Sequence, residues 1–541
     1  MDGFCVPYTR VPHSSALFLD YLYHYDRVAR FYNGSPYETS SYQALAAKLR
    51  GRSLDRRELI EILARQNQAF GCGEPTLANI ERLKQPETLA VVTGQQAGLF
   101  SGPAFTLYKA LTAIRLAQSL TEGGQPSVPV FWLATEDHDL EEVAETATLD
   151  EDYNLIPLRD RGERPAPRSS VGFVKFTEEI QAAEQQLESS LPAGPPRERL
   201  LQDLRETFQP GATWTSAFAR FMARLFSRWG VILLDPLDEG VHRLCAGLYR
   251  QAIDQAAELR GRVLERSRAL LQYGYHAQVH IGEDSTLIFA TRDGNRQPLH
   301  ERSGQYFLDG TEHLSRDELH AWLERQPLDF SPNVLLRPLV QDMLLPTLAY
   351  VAGPSELAYL GQAQALYESF GRPQPVVLPR AAFTLLDART QRTMEKYRIG
   401  VEDVWQGEEH LGGKLAAAGS AESWSEHFAK SEQDLAALLD RLHADIEKLD
   451  PTLLETLVHV KEKMTYQMER LKGKVSRAAI GRSELLARHQ QALLRFLMPQ
   501  KDLQERRVGG VYFLGRAGYD ILDHLLSHIQ IHCSDHQVLG Y

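Results

Sequence analysis

The chain has 541 residues, enough for roughly two to four domains, with 43% hydrophobic and 24% charged residues as in ordinary globular proteins. No apolar run reaches the ~18 residues that span a bilayer, and a net charge of −12 argues against a general nucleic-acid binder. The four cysteines, Cys5, Cys72, Cys245 and Cys533, form no CxxC pair; they fit a reducing cytoplasm and argue against a disulfide framework or a structural zinc site. The opening MDGFCVPYTRVPHSS has no basic stretch followed by an apolar one, so no secretory signal is expected.

Residues 1–87 read as helical, with Ser53 as the cap of the amphipathic stretch SLDRRELIEILARQNQAF. A strand follows at 88–93, then a helix at 103–120. The run VPVFWLA from Val128 is a strand buried on both faces, and GVILLDPLDEG at 230–240 is a third strand followed by a helix. LAYVAGPSELAYLGQ from Leu348 and PVVLPR from Pro375 supply the fourth and fifth. Apolar strands alternating with long helices predict βαβ units and a parallel sheet. Two stretches interrupt the alternation as insertions. Residues 145–228 are rich in Pro, Gly and charge; residues from 273 to about 330 begin as short strands with Asp-Gly turns.

Residues 387–505 read as a helical coil. Leu457, Met464, Leu471, Ala478 and Leu485 recur every seven residues, joined by Met468 and Val475, while Arg482 and His489 make the seam imperfect. The expected helix is ~70 Å long at 1.5 Å per residue, with 431–450 as an antiparallel partner turned at Asp450–Pro451. The excess seam predicts a homodimer. Residues 506–541 return to the core, which makes 1–386 the sheet domain with its N-terminal helices.

A parallel sheet binds its ligand outside the carboxyl ends of its strands. TGQQAGLFSGPAFTLYK, at the end of the first strand, places Gly94, Gln95, Gln96, Gly98 and Gly102 before a helix start that carries Thr106 and Lys109. It reads as a cradle for a phosphate or carboxylate, or else as an ordinary tight turn. It is neither GxGxxG nor a Walker loop. Lys109→Ala is expected to weaken ligand binding and leave the fold intact. TEDHDLEE, at the next strand end, offers Asp137 and His138 for acid–base work, and its carboxylates suit Mg²⁺; the plainer reading is an acidic helix start. Gly353, Ser355 and Glu356 repeat the Gly-Pro helix start on the fourth strand, and Arg337, Gln341 and Asp342 add polar wall residues. None of the cysteines sits at a strand-end motif.

VVTGQQAGLFSGPAFTLYKAL, PVFWLATEDHDLEEV and GPSELAYLGQ…FGRPQPVVLPRAAFTLLD together resemble the bacillithiol biosynthesis cysteine-adding enzyme family, over nearly the whole chain. The resemblance implies a Rossmann-like core with two connecting-peptide insertions, a dimerising coiled coil and a bound adenine nucleotide (ATP or ADP). It also implies amide formation between L-cysteine and the amino group of glucosaminyl-malate. The implied nucleotide lies towards the coil and the chain's end, which makes Arg506, Tyr512, Phe513 and Gly518 candidates for a second, ADP-binding site. The core is similar to class I aminoacyl-tRNA synthetases, yet GLFSGPAFTLYK carries no histidine in place of their HIGH motif, and no KMSKS-like loop is evident. Other readings are a nucleotide-sugar transferase and a non-enzymatic, nucleotide-binding coiled-coil scaffold.

Overall fold

The five apolar runs form one sheet in the computed structural model, which describes residues 3–51, 56–308, 312–419 and 424–541. The expected Ser53 cap and a turn at Asp309–Gly310 lie outside the described residues. The strands are β1 (Leu89–Gln95), β2 (Ser127–Leu133), β3 (Ile232–Leu234), β4 (Thr347–Ala352) and β5 (Val376–Pro379), all parallel, in the order 3-2-1-4-5. Every residue of β2 and β4 is buried, as expected where helices cover both faces of a parallel sheet. Helix α1 (Phe105–Glu122) follows β1 and helix α2 (Pro354–Ser369) follows β4. The strand order reverses between β1 and β4, so the crevice of the fold opens at their carboxyl ends.

The two insertions fold as units against this sheet. The first contains an antiparallel pair, Glu145–Leu149 with Leu155–Arg159, and three helices between Glu179 and Phe226. Trp214 stacks on Phe176 at 4.1 Å in its core. The second is a five-stranded antiparallel sheet between Ser285 and Pro332. Asp293 and Gly294 join its first two strands, both with positive φ (51° and 75°), the backbone that a two-residue hairpin requires.

The helical domain contains α3 (Glu408–Gly419), α4 (Trp424–Leu449), α5 (Leu454–Gly481) and α6 (Glu484–Leu497). The expected antiparallel pairing is present: Lys461 meets Asp440 at 3.0 Å and Lys472 meets Glu432 at 2.9 Å, across a turn where Asp450 accepts from the Thr452 N–H. The single long helix is not. Gly481 ends α5, and the Ser483 hydroxyl accepts from the Leu486 N–H to start α6. The 28 residues of α5 span only ~42 Å. Of the heptad positions α5 buries only Leu457. Its other buried residues are Gly473, Ser476 and Ile480, because α3 packs where small residues admit a close approach: a Cβ on Gly473 would strike Glu409. Met464, Leu471 and Leu485 stay 42%, 51% and 50% exposed.

The chain returns from the coil through side chains that imitate a strand. Gln504 accepts from the Leu385 N–H and donates to the Leu385 carbonyl, and Glu505 accepts from the Phe383 N–H. Glu505 also makes two parallel hydrogen bonds, 2.9 and 2.7 Å, with Arg380 just after β5, and both side chains are buried. Residues His536–Gly540 then pair with Phe4–Val6 and with Phe383–Leu386, so both chain ends close one small sheet. Glu505→Gln leaves the Arg380 guanidinium buried without its counter-charge. It should destabilise the protein by ~3–5 kcal/mol in urea unfolding; a loss below ~1 kcal/mol would show that the pair does not clamp the two domains together.

Candidate active site

A cleft of about 650 Å³ opens at the carboxyl ends of β1, β2 and β4, with residues of the antiparallel insertion on its opposite wall. Gly94 and Gln95 end β1, and Gly353 follows β4. Between them Lys109, from the second turn of α1, donates to the Gly94 carbonyl at 2.8 Å and to Gln95 Oε1 at 2.9 Å, and forms a close ion pair with Glu356. Glu356 is further held by the Gly353 N–H (2.7 Å) and the Tyr350 hydroxyl (2.8 Å). Burial works against its charge, yet the ammonium and these donors outweigh it and keep the carboxyl below its usual range. Burial draws the Lys109 ammonium down, opposed by the Glu356 charge. A Cβ at Gly353 would lie 3.4 Å from Glu356 Oε2 and 3.9 Å from Lys109 Cε, so the strand end passes in contact with both members of the pair. Behind this pair Arg337 donates to the Tyr350 and Tyr359 hydroxyls at 3.2 and 2.9 Å.

The β2 edge carries the acid–base groups. Gln96 donates to Asp137 (2.9 Å) and Glu142 (2.8 Å), and Asp137 accepts from the His138 N–H at 2.7 Å. Burial would raise the Asp137 carboxyl, but the Gln96 amide and the Arg296 charge hold it below its ordinary value. Arg296 reaches across from the antiparallel insertion. Its Nη1 lies 3.2 Å from His138 Nδ1, its Nε donates to Ser331 and its guanidinium lies over the Phe289 ring at 3.7 Å. A guanidinium only donates, so His138 Nδ1 accepts and its proton sits on Nε2. Burial and the Arg296 charge lower the His138 pKa, which keeps the ring neutral. Glu136 also lines the cleft while only 6% exposed.

The structure thus brings Gly94, Gln95, Gln96, Lys109, Asp137, His138, Gly353, Ser355, Glu356 and Arg506 to one cleft. Gly98, Gly102 and Thr106 are buried beside it: Gly98 packs on Gly102, where a Cβ would come within 2.8 Å of its Cα, and the Thr106 side chain is fully enclosed. The anion cradle read at the start of α1 is covered by the chain itself. The Ala104 N–H donates to the Val508 carbonyl, and the Gly510 N–H donates to that of Gly102. Gln341 is buried behind the wall, bonded to Asp342. Tyr512 and Phe513 are buried edge to face with each other, apart from Arg506, and Gly518 is a left-handed residue (φ 77°) ending their helix. Arg506 lines the cleft and an adjoining annex of about 510 Å³ that also holds Ser355, His13, His276, Lys501 and Arg507. Among the described residues, no three His, Cys, Asp or Glu side chains converge as metal ligands. Cys5 and Cys533, far apart in sequence, have their sulfurs 3.7 Å apart away from the cleft, and Cys245 is buried.

Sequence reading missed Arg296, Tyr350, Tyr359 and Arg380 as wall residues. Arg296 sits among other charges in NRQPLHER, and only the folding of that hairpin over β2 gives it a role. The expectation for Lys109 also changes. Its side chain is 3% exposed and its charge is paired, so its loss is expected to destabilise the fold as well as the cleft. Lys109→Met should cost ~3–5 kcal/mol by stranding Glu356 in the interior. Denaturant melts check this, and an unchanged midpoint would show that Glu356 finds another partner.

The N-terminal part, residues 1–381, matches the family description "Bacillithiol biosynthesis BshC, N-terminal Rossmann-like domain", and residues 383–541 match "Bacillithiol biosynthesis BshC, C-terminal coiled-coil domain". Proteins named "Putative cysteine ligase BshC" are 37% identical in Koribacter versatilis (99% of each chain) and 34% in Solibacter usitatus (99% of each). One in Salinibacter ruber is 34% identical over 97% of this chain and 96% of its own. A solved structure of a putative arginyl t-RNA synthetase from Campylobacter jejuni overlaps at a TM-score of 0.21 and 10% identity, over 88% of this chain and 98% of that one, too weak a likeness to bear on the site. With two adjoining matches from residue 1 to residue 541 and relatives aligned almost end to end, the chain belongs to the bacillithiol biosynthesis BshC family.

Proposed function

We propose that the protein is a ligase that joins the carboxylate of L-cysteine to the amino group of glucosaminyl-malate, giving bacillithiol. The observation that carries this reading is a cleft at the strand-order reversal, in a chain of this family, whose walls hold both arginines and carboxylates. Cysteine and glucosaminyl-malate each bring carboxylate and amine, so a site for both needs cations and anions kept from neutralising one another. Here Lys109 and Glu356 cancel locally, while Arg296, Arg506 and Glu136 face the cleft. Asp137 and Gln96 hold the β2 edge in place, and neutral His138 presents an Nε2–H donor.

An adenine nucleotide fits the annex by its chemistry. Lys501, Arg506 and Arg507, with His13 and His276, would hold its phosphates; Asp502, the one acidic lining residue, pairs with both arginines at 3.6 and 3.1 Å. When bound, the nucleotide supplies the phosphate leaving group that a carboxylate needs before an amine can displace it. Mg²⁺ would enter with those phosphates rather than on a protein site of its own. The reaction belongs in the cytoplasm, where both substrates and ATP are available, and no described helix is long and apolar enough to cross a membrane. Purified protein given ATP, L-cysteine and glucosaminyl-malate should yield bacillithiol by mass spectrometry, dependent on all three. Consumption of a nucleotide sugar without cysteine would favour a sugar transferase, and no turnover of either would favour a scaffold.

We further propose that the exposed heptad residues Met464, Leu471 and Leu485 meet a second copy of the coil, since α3 and α4 leave them uncovered. Sedimentation should find a dimer at micromolar concentration and a monomer when Leu471 and Val475 are both changed to Glu. A monomeric unaltered protein would refute the dimer.

A further inference from the structure

Glu136 is an acid that the cleft leaves unmatched. The carboxylates near it are engaged: Glu356 by Lys109, Asp137 by Gln96, and Asp235 by the Thr135 hydroxyl at 2.6 Å. Glu136, by contrast, lines the cleft with one oxygen, Oε1, enclosed beneath the wall and without a hydrogen-bond partner. It faces His242 Nε2 at 3.5 Å, and the two nitrogens of that ring have none either. Burial lowers the His242 pKa to about 4, so the ring is neutral and supplies no counter-charge. A buried carboxyl with one oxygen left without a donor and no counter-charge from His242 is unfavourable. A cationic group arriving in the cleft that Glu136 lines would supply a counter-charge, and an amine is the cation that both proposed substrates carry.

We propose that Glu136 is a catalytic residue: it receives the amino group of glucosaminyl-malate and removes its proton as the amide bond forms. This rests on the ligase reading above. The bound ammonium gives its first proton to solvent before attack, and the amine sheds a second on becoming an amide. In the bond-forming step the nitrogen lone pair makes the new C–N bond to the acyl carbon of a cysteine activated as an acyl phosphate-type anhydride. The bond from that carbon to the phosphate oxygen breaks with its electron pair, and one N–H proton passes to the Glu136 carboxylate.

The electrostatic surroundings suit a base working near neutrality. Burial is the dominant influence on Glu136 and lifts its pKa to about 7. Arg296 and Arg337 act to lower it; Asp235 and Asp137 act to raise it. Cys245 and Tyr249, on the helix that carries His242, are themselves buried and kept neutral. Below its pKa Glu136 carries its own proton and accepts no other; above it the carboxylate is free to act.

The test compares unaltered protein with Glu136→Gln, which keeps the side-chain shape and removes a buried charge. Amide formation is followed from about pH 6 to about pH 9. Glu136→Gln should lower kcat by ~10²–10⁴-fold and abolish the acid limb near pH 7, with the KM for cysteine within about threefold. A kcat within about threefold of the unaltered protein overturns the proposal. A second measurement needs no variant. Calorimetry in two buffers of different ionisation heat should show glucosaminyl-malate releasing about half a proton at pH 7, as Glu136 is driven to its ionised form. The N-acetylated analogue should release none. Equal release by both ligands rejects the contact. Proton release specific to the amine, in a protein that forms no bacillithiol, would support the contact and reject the ligase reading.

Discussion

The ion pair between Lys109 and Glu356 is the constraint around which the cleft is built. β1 and β4 are neighbours whose connections run in opposite directions along the sheet. The pair joins their carboxyl ends, from the second turn of α1 and the first turn of α2. Two buried charges are tolerable only with good geometry and every further valence satisfied, and here the Gly94 carbonyl, Gln95, the Gly353 N–H and Tyr350 do this. Gly94, whose carbonyl takes the Lys109 ammonium, lies against Trp132, where a Cβ would come within 3.1 Å of the Trp132 carbonyl oxygen.

Beside that pair, Asp137, His138, Arg296 and Arg506 line the rest of the cleft. The antiparallel insertion brings Arg296 over the β2 edge, where it sets the tautomer of His138 and helps keep Asp137 ionised. From the other side, the Arg380–Glu505 clamp fixes the segment that follows the coil, and so fixes Arg506 at the junction of cleft and annex. Residues 508–510 continue from this clamp over the start of α1. Anything that moved the coil against the sheet would act on Arg506 and on this cover together, which gives the helical domain a direct physical route to the cleft.

The sheet was legible because parallel strands buried on both faces are written as unbroken apolar runs, and each of the five runs is a strand. The Asp293–Gly294 hairpin was legible for an equally local reason. The coil was harder. A seven-residue apolar spacing marks a face without saying what covers it, and the real intrachain contact uses Gly473 and Ser476, whose smallness carries no periodic signal. Gly481 and Ser483 could have been read as a helix end and a cap within the apparent long helix. The cleft was half legible: Gly-Pro helix starts and the EDHD run pointed to strand ends that line it. They did not reveal that the start of α1 is sealed by residues from the far end of the chain, Val508 and Gly510, nor that Lys109 and Glu356 neutralise each other. Those facts depend on long-range packing.

The central claim is that substrates meet at the β1/β4 crevice under the antiparallel insertion. A crystal structure of the protein soaked with glucosaminyl-malate tests it most directly. The account predicts that the ligand lies in the cleft between the Gln96–His138 edge and Gly353–Ser355, in contact with Arg296. Ligand density only on the helical domain, with the cleft holding solvent alone, would contradict it.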